Sequence, residues 1–160
     1  MREKRAIRID DLYKFRIPSE PSVSPDGKRT VFVVERMVKR DKKYYSNIYI
    51  VDTNGRNKRQ LTFGQRNDHS PKWSPSGTTI AFVSKRETTS QIWLLPMEGG
   101  EPRPLTKLSR GSVSHICWSP DGRKLLFLFR PLGKEVMVDK PPTIVETYEI
   151  TPGLIELIVP

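Results

Sequence analysis

Three arginines, Arg36, Arg86 and Arg130, stand twelve, twelve and eleven residues beyond three serines, Ser24, Ser74 and Ser119. A guanidinium is a permanent cation with five donors in a planar fork, a shape that matches carboxylates. Arginines that recur in phase are expected to share one surface, and what they can do there is hold an acidic group. The stretches ERMVKRDKK (35–43), FGQRND (63–68) and KLSRGS (107–112) fall in the same phase. One face of the molecule should therefore be much more basic than the other. It would meet an acidic partner, the carboxylates of a substrate or the surface of a second domain. The competing reading is a solvated rim with local ion pairs, which contribute little.

Two other groupings have the residue types for chemistry but not the arrangement. Ser112, His115 and Asp121 are near in sequence, and a hydrolytic triad needs a nucleophile, a base and an orienting acid that meet in space. Here the serine and histidine open one strand and the aspartate lies in the turn at its end, so no catalytic residue is assigned. His115 and Cys117 are two apart and would share a strand face. Zinc needs three or four ligands, and the one remaining histidine is His69. No metal site and no cofactor are expected.

The serines belong to a repeated turn. VSPDGKRTVFVV (23–34), WSPSGTTIAFVS (73–84) and WSPDGRKLLFLF (118–129) are copies spaced 50 and 45 residues apart. In Ser-Pro-Asp-Gly the proline presets φ near −65°, the serine and aspartate side chains bind nearby amides, and the glycine tolerates a positive φ. Each copy is thus a turn between antiparallel strands. The similarity extends beyond the turn. SNIYIVDTNGRNKRQLT (46–62) aligns with SQIWLLPMEGGEPRPLT (90–106), keeping Ile48 with Ile92, Gly55 with Gly99, and Leu61-Thr62 with Leu105-Thr106. Four short strands per unit of this length describe a propeller blade. The strands after the turns, 30–34, 80–84 and 125–129, are apolar on both faces. This suits a sheet packed between neighbours better than one half of a sandwich, whose strands would alternate.

The expected organisation is a leader with a short helix over 1–20, blade one over 21–66, blade two over 67–110, a partial blade three over 111–150 and a divergent tail over 151–160. Asp10 should cap a helix running to Phe15, with Leu12 and Phe15 docking from one face. The fold class is all-β, an incomplete propeller of about two and a half to three four-stranded blades. A closed ring needs more, so the chain is expected to be a piece of a longer propeller or to need a partner.

Composition limits the partners. The net charge of +10 is spread along the chain without a nucleic-acid-binding motif, so no nucleic acid is expected. No apolar run reaches membrane-spanning length and the N-terminus lacks a secretory signal, so no membrane is expected and a cytoplasmic location is. The single Cys117 agrees with a reducing compartment.

DLYKFRIPSEPSVSPDGKRTVFVVER (11–36), with the two matched units and WSPDGRKLLFLF, resembles the N-terminal propeller of the prolyl oligopeptidase family, nearest to acylaminoacyl peptidases. The repeats are also similar to TolB-type propellers. The resemblance implies a propeller that gates peptide substrates to an α/β-hydrolase domain carrying a Ser-Asp-His triad. No G-x-S-x-G nucleophile elbow occurs in these 160 residues, so no catalytic residue of that family transfers here. The alternative implied by the TolB-type repeats is a protein-interaction module.

Overall fold

The computed structural model describes residues 5–86, 89–108, 111–131, 145–151 and 154–158. A short 3-10 helix, Ile9–Lys14, precedes three antiparallel four-stranded sheets. Sheet one runs β1 (Ile17–Val23), β2 (Arg29–Val38), β3 (Lys43–Asp52), β4 (Arg59–Gln60). Sheet two runs β5 (Asp68–Trp73), β6 (Thr79–Lys85), β7 (Ser90–Pro96), β8 (Arg103–Pro104). Sheet three runs β9 (Gly111–Trp118), β10 (Lys124–Pro131), β11 (Val145–Thr151), β12 (Leu154–Ile158). In each sheet the strand order is the order along the chain. β1 touches β5 and β5 touches β9, whereas β4 and β8 touch only their own sheet's third strand. The first strands therefore lie innermost and the sheets splay outward, as propeller blades do.

Two boundaries differ from the sequence reading. Sheet one begins at Ile17, inside the segment read as leader, because IPSEPSV is an inner edge strand. An edge position tolerates Pro18 and Pro21, whose missing N–H groups need no ladder partner there. Sheet three takes its fourth strand from Leu154–Ile158, the segment set apart as a divergent tail, with Thr147 opposite Ile158 and Thr151 opposite Leu154.

The turns follow from their chemistry. The amides of Gly27, Gly77 and Gly122 each donate to the serine carbonyl three residues back at 2.9 Å, with φ of 70°, 71° and 71°. The serine hydroxyls accept the amides of Arg29, Thr79 and Lys124 at 2.9, 3.1 and 2.8 Å. The Leu-Thr pairs have a similar purpose. The Thr62 and Thr106 hydroxyls accept the amides of Ile48 and Ile92 at 2.9 and 3.0 Å, fastening the fourth strand's exit to the third strand.

Two apolar cores lie between the sheets. Val31, Ile48 and Ile50 of sheet one pack against Trp73, Ile80, Phe82 and Leu95 of sheet two. Ala81, Val83, Ile92 and Leu94 of sheet two pack with Leu105 against Val113, Ile116, Leu125, Phe127 and Phe129 of sheet three. Sheet two is thus buried on both faces. In β10, Leu125, Phe127 and Phe129 are buried while Leu126 and Leu128 are exposed.

Each joint between blades reuses the same parts. Trp73 Nε1 donates to the Ser22 carbonyl at 3.0 Å, and Trp118 Nε1 donates to the Lys72 carbonyl at 3.1 Å. A Cβ added at Gly77 would meet Pro25 at 3.6 Å, and one at Gly122 would meet Pro75 at 3.5 Å, so the two turns face the prolines of the preceding blades alike. The first unit has Val23 in the tryptophan's place, exposed, and nothing lies near Gly27.

The leader departs from expectation in its details. The helix is capped by Asp11, whose carboxylate accepts the Arg8 amide at 2.9 Å. Asp10 instead pairs with Lys39 at 2.8 Å, and Lys39 also sits 5.5 Å above the Tyr13 ring. Leu12 and Phe15 remain about half exposed. The leader thus meets the far end of β2 through Lys39, with little apolar docking.

Candidate functional site

The strand order puts the loops after the second strands and the connections between blades at one end of the molecule, opposite the Ser-Pro turns. At the turn end, Thr53 and Met97 donate their amides to the carbonyls of Lys28 and Thr78. At the other end, the Ser46 amide donates to the Arg66 carbonyl at 3.0 Å and Asn47 Nδ2 to the Gly64 carbonyl at 3.4 Å. Gln91 clasps the amide and carbonyl of Leu108 at 2.9 and 3.0 Å.

The three phased arginines occupy this second end differently. Arg36, opposite Tyr45 in sheet one, reaches the Gly64 carbonyl at 3.5 Å. Arg86 follows β6 and lies half-buried, its guanidinium carbon 3.6 Å from the centroid of the Trp93 ring. Arg130 lies opposite Ser112 in sheet three and is exposed. Arg36 thus touches the Gly64–Asn67 connection, Arg86 is near enough to Arg66 of that connection to feel its charge, and Arg130 belongs to a different blade. Arg66 runs back over Gly64 within that connection.

Register shows what Arg86 faces. Asp68 pairs with Ser84 and Trp93 with Phe82 across neighbouring strands. Residues 82 and 84 lie on one face of β6, the face that packs against sheet one. Asp68 and Ser84 are fully buried there, and the Ser84 hydroxyl donates to Asp68 Oδ1 at 2.5 Å. The units on either side have Pro18 and Val113 where this one has Asp68. Three buried polar atoms lack a partner among the described residues: Asp68 Oδ2, Arg86 Nε and Trp93 Nε1. Asp68 and Trp93 are on the face of sheet two that packs against sheet one, and Arg86 stacks on Trp93. Burial pulls the Arg86 guanidinium below its ordinary value, and the charge of Arg66 adds to that, while Asp68 and Glu101 oppose it.

The inner strands share a second feature. Glu20, Ser70 and His115 occupy the same place in the repeat and each has a left-handed backbone, with φ of 50°, 53° and 54°. The ladder shifts register at each of these points, so every inner strand carries a β-bulge. Glu20 accepts the Ser70 amide, joining two bulges across blades. His69, beside this contact, is held below its usual basicity chiefly by burial, against the pull of Glu20 and Asp68.

His115 lies in its strand's bulge, and His115 and Cys117 are both exposed on either side of the buried Ile116. Cys117 is exposed, and His115 Nδ1 lies 3.1 Å from Ser114 Oγ. Asp121 is taken up within its own turn by the Ser119 hydroxyl at 2.5 Å and the Arg123 amide at 3.0 Å. No hydrogen bond joins Ser112, His115 and Asp121 among the described residues. No group of three or more His, Cys, Asp or Glu side chains there is placed to hold a metal.

The phase of the arginines pointed to this end of the molecule. Arg66, Asp68 and Trp93 were not singled out, although Arg66 and Asp68 lie in the noted FGQRND connection. Aspartate at a position otherwise Pro18 and Val113 was the one available signal.

Comparison with known proteins places the chain. A family model described as "TolB beta propeller domain" matches residues 12–155. The "Uncharacterized peptidase YuxL" of Bacillus subtilis is 35% identical over 147 residues, 91% of this chain and 22% of that protein. The crystal structure of TolB from Acinetobacter baumannii is 25% identical with a TM-score of 0.62, covering 89% of this chain and 32% of that one. Acylaminoacyl peptidase of Pyrococcus horikoshii shares the fold with a TM-score of 0.64 at 20% identity, covering 86% of this chain and 23% of that one. The chain spans about a fifth of the length of the first of these relatives.

Proposed function

The chain belongs to the TolB β-propeller domain family, and on that premise we propose that it is the propeller part of a peptidase, screening the peptides that reach an α/β-hydrolase domain. The observation that carries this reading is the likeness to the peptidase YuxL across 91% of the chain. In this reading the chain is non-catalytic, because its sequence contains no nucleophile elbow. The rim with Arg36, Arg86 and Arg130 faces the hydrolase domain or the acidic groups of an entering peptide. The protein works in the cytoplasm, in keeping with its one unpaired cysteine.

The test has two parts. The 160-residue chain, assayed with N-acylated amino-acid esters and dipeptidyl anilides, is expected to show no turnover above the blank. Turnover that survives purification and disappears in Ser112→Ala would overturn the non-catalytic role. The coding sequence beyond Pro160 should read on into further blades and a G-x-S-x-G hydrolase. A TolB-type interaction module, the second reading, predicts further blades without that hydrolase, and the likeness to the Acinetobacter TolB favours it.

A further inference from the structure

We infer that two copies of this chain close one six-bladed ring, the bare face of blade one in each copy taking the bare face of blade three of the other. Sheets one and three each touch only sheet two among the described residues, so the row of blades has two uncovered end faces. The joints inside the chain show what such faces fit. At the first joint, Ile80 and Phe82 of blade two pack with Val31 of blade one. At the second, Leu125 and Phe127 of blade three pack with Ala81 and Val83 of blade two. The repeat carries both sides of this contact to the ends of the row. Thr30 and Phe32 hold the places of Ile80 and Phe82 in blade one, and both are half-exposed. Leu126 and Leu128 hold the places of Ala81 and Val83 in blade three, and both are exposed.

The turns and inner strands carry the same two halves. Gly77 and Gly122 face Pro25 and Pro75, whereas nothing lies near Gly27, and Pro120, the next proline of the series, is exposed. Cys117 holds the place of Ser22 and Lys72, whose carbonyls each accept a tryptophan indole. Glu20 of blade one accepts the Ser70 amide of blade two. His115 holds the place of Glu20 in blade three, so the joint between copies brings a histidine to a glutamate. A contact between unlike faces either closes into a ring or runs on as a fibre. Two copies of three sheets make six blades, within the range of roughly four to eight found in closed propellers. The pair therefore closes with two identical seams. One part is missing from them: Val23 stands exposed where the other blades have tryptophan. The seam between copies lacks the indole bond, and the pair comes apart on dilution. Pairing is read by mass alone and does not depend on the peptidase reading, which is read by turnover.

Sedimentation velocity of the 160-residue chain across a range of concentrations should show a reversible equilibrium that stops at twice the chain mass. Val23→Trp supplies the missing indole at an exposed position and should tighten the pair about tenfold, since each pair gains two such bonds. Phe32→Glu and Leu126→Glu should each leave a monomer whose circular dichroism matches that of the dilute parent. Mixed together, these two variants should pair again, more weakly than the parent, through the one seam that carries neither substitution. Only a contact between unlike faces allows that rescue. A parent that stays monomeric at every concentration would leave the face to a blade from outside these 160 residues and overturn the inference. A mass that grows past the dimer, no tightening in Val23→Trp, a dimer that survives Phe32→Glu, or no pairing in the mixture would each overturn it as well.

Discussion

Blades one and two are written with nearly the same motif, yet they live in different surroundings. Blade two has a neighbour on each side, and the whole centre of β6, from Ile80 to Ser84, is buried. Blade one buries Val31 and Val33 against blade two, while Phe32 and Tyr49, with ring centroids 5.9 Å apart, lie half-exposed on its other face. The same strand pattern is therefore energetically different according to whether a second sheet covers it. Apolar residues on both faces of a strand state what the blade is made to touch, not what it touches in this chain.

Replacing an equivalent aromatic in each blade tests that difference most strongly. Phe82→Ala should cost about 3–5 kcal/mol, because it empties a fully buried site between two sheets. Phe32→Ala should cost roughly half as much, because less apolar surface leaves water at that position. Denaturant melts of the two variants measure both, and equal losses would remove the contrast.

The joints give a smaller effect. Trp73→Phe keeps an aromatic ring but loses the indole bond to Ser22 and weakens the contact of Arg29, 5.2 Å above the ring. A loss of about 1 kcal/mol is expected. Trp118→Phe at the second joint should lose less, since Trp118 is only partly buried. A thermal-shift comparison of the pair ranks them.

A pH dependence follows from the boundary between the two blades. His69 is less basic folded than unfolded, so below a pH of about 6.5 the unfolded chain takes up a proton that the folded one does not. Stability should therefore fall as pH drops from there, until the lower folded value is reached. His69→Gln should flatten this part of the stability profile.

The smallest effect lies in the turns. Asp26 and Asp121 are held below the ordinary carboxylate range, first by the serine hydroxyl and then by the amide two residues on. Ser76 in blade two instead bonds Ser74 and Thr78 through hydroxyls. Ser76→Asp should raise the melting temperature slightly at neutral pH. The gain should vanish as pH falls through the depressed folded value of the new carboxylate.

Much of the fold was written in plain local signals. Pro and Gly placed the turns, and the Leu-Thr pairs placed the fourth strands. What stayed hidden depends on contacts between units. The bulges at Glu20, Ser70 and His115 use three unlike residues, none of them glycine, so no residue type announced a left-handed backbone. Strand β1 was hidden by its two prolines, which only its position at a sheet edge makes admissible. Gly111 likewise reads as a loop glycine, yet a Cβ there would sit 2.5 Å from the Arg130 carbonyl and from the Phe129 ring. The stacking of Arg86 on Trp93 beside the buried Asp68 was invisible because these residues come together only when three strands are laid side by side.

The tryptophan-to-carbonyl bond and the glycine-on-proline contact occur at both joints in the same form. A gene that gains or loses one unit of 45 to 50 residues by unequal crossing-over would keep the tryptophan-to-carbonyl fastening at each remaining joint of this kind. Such a scaffold can change its circumference in a single genetic event, while the crevices between its leaves remain free to diverge one at a time.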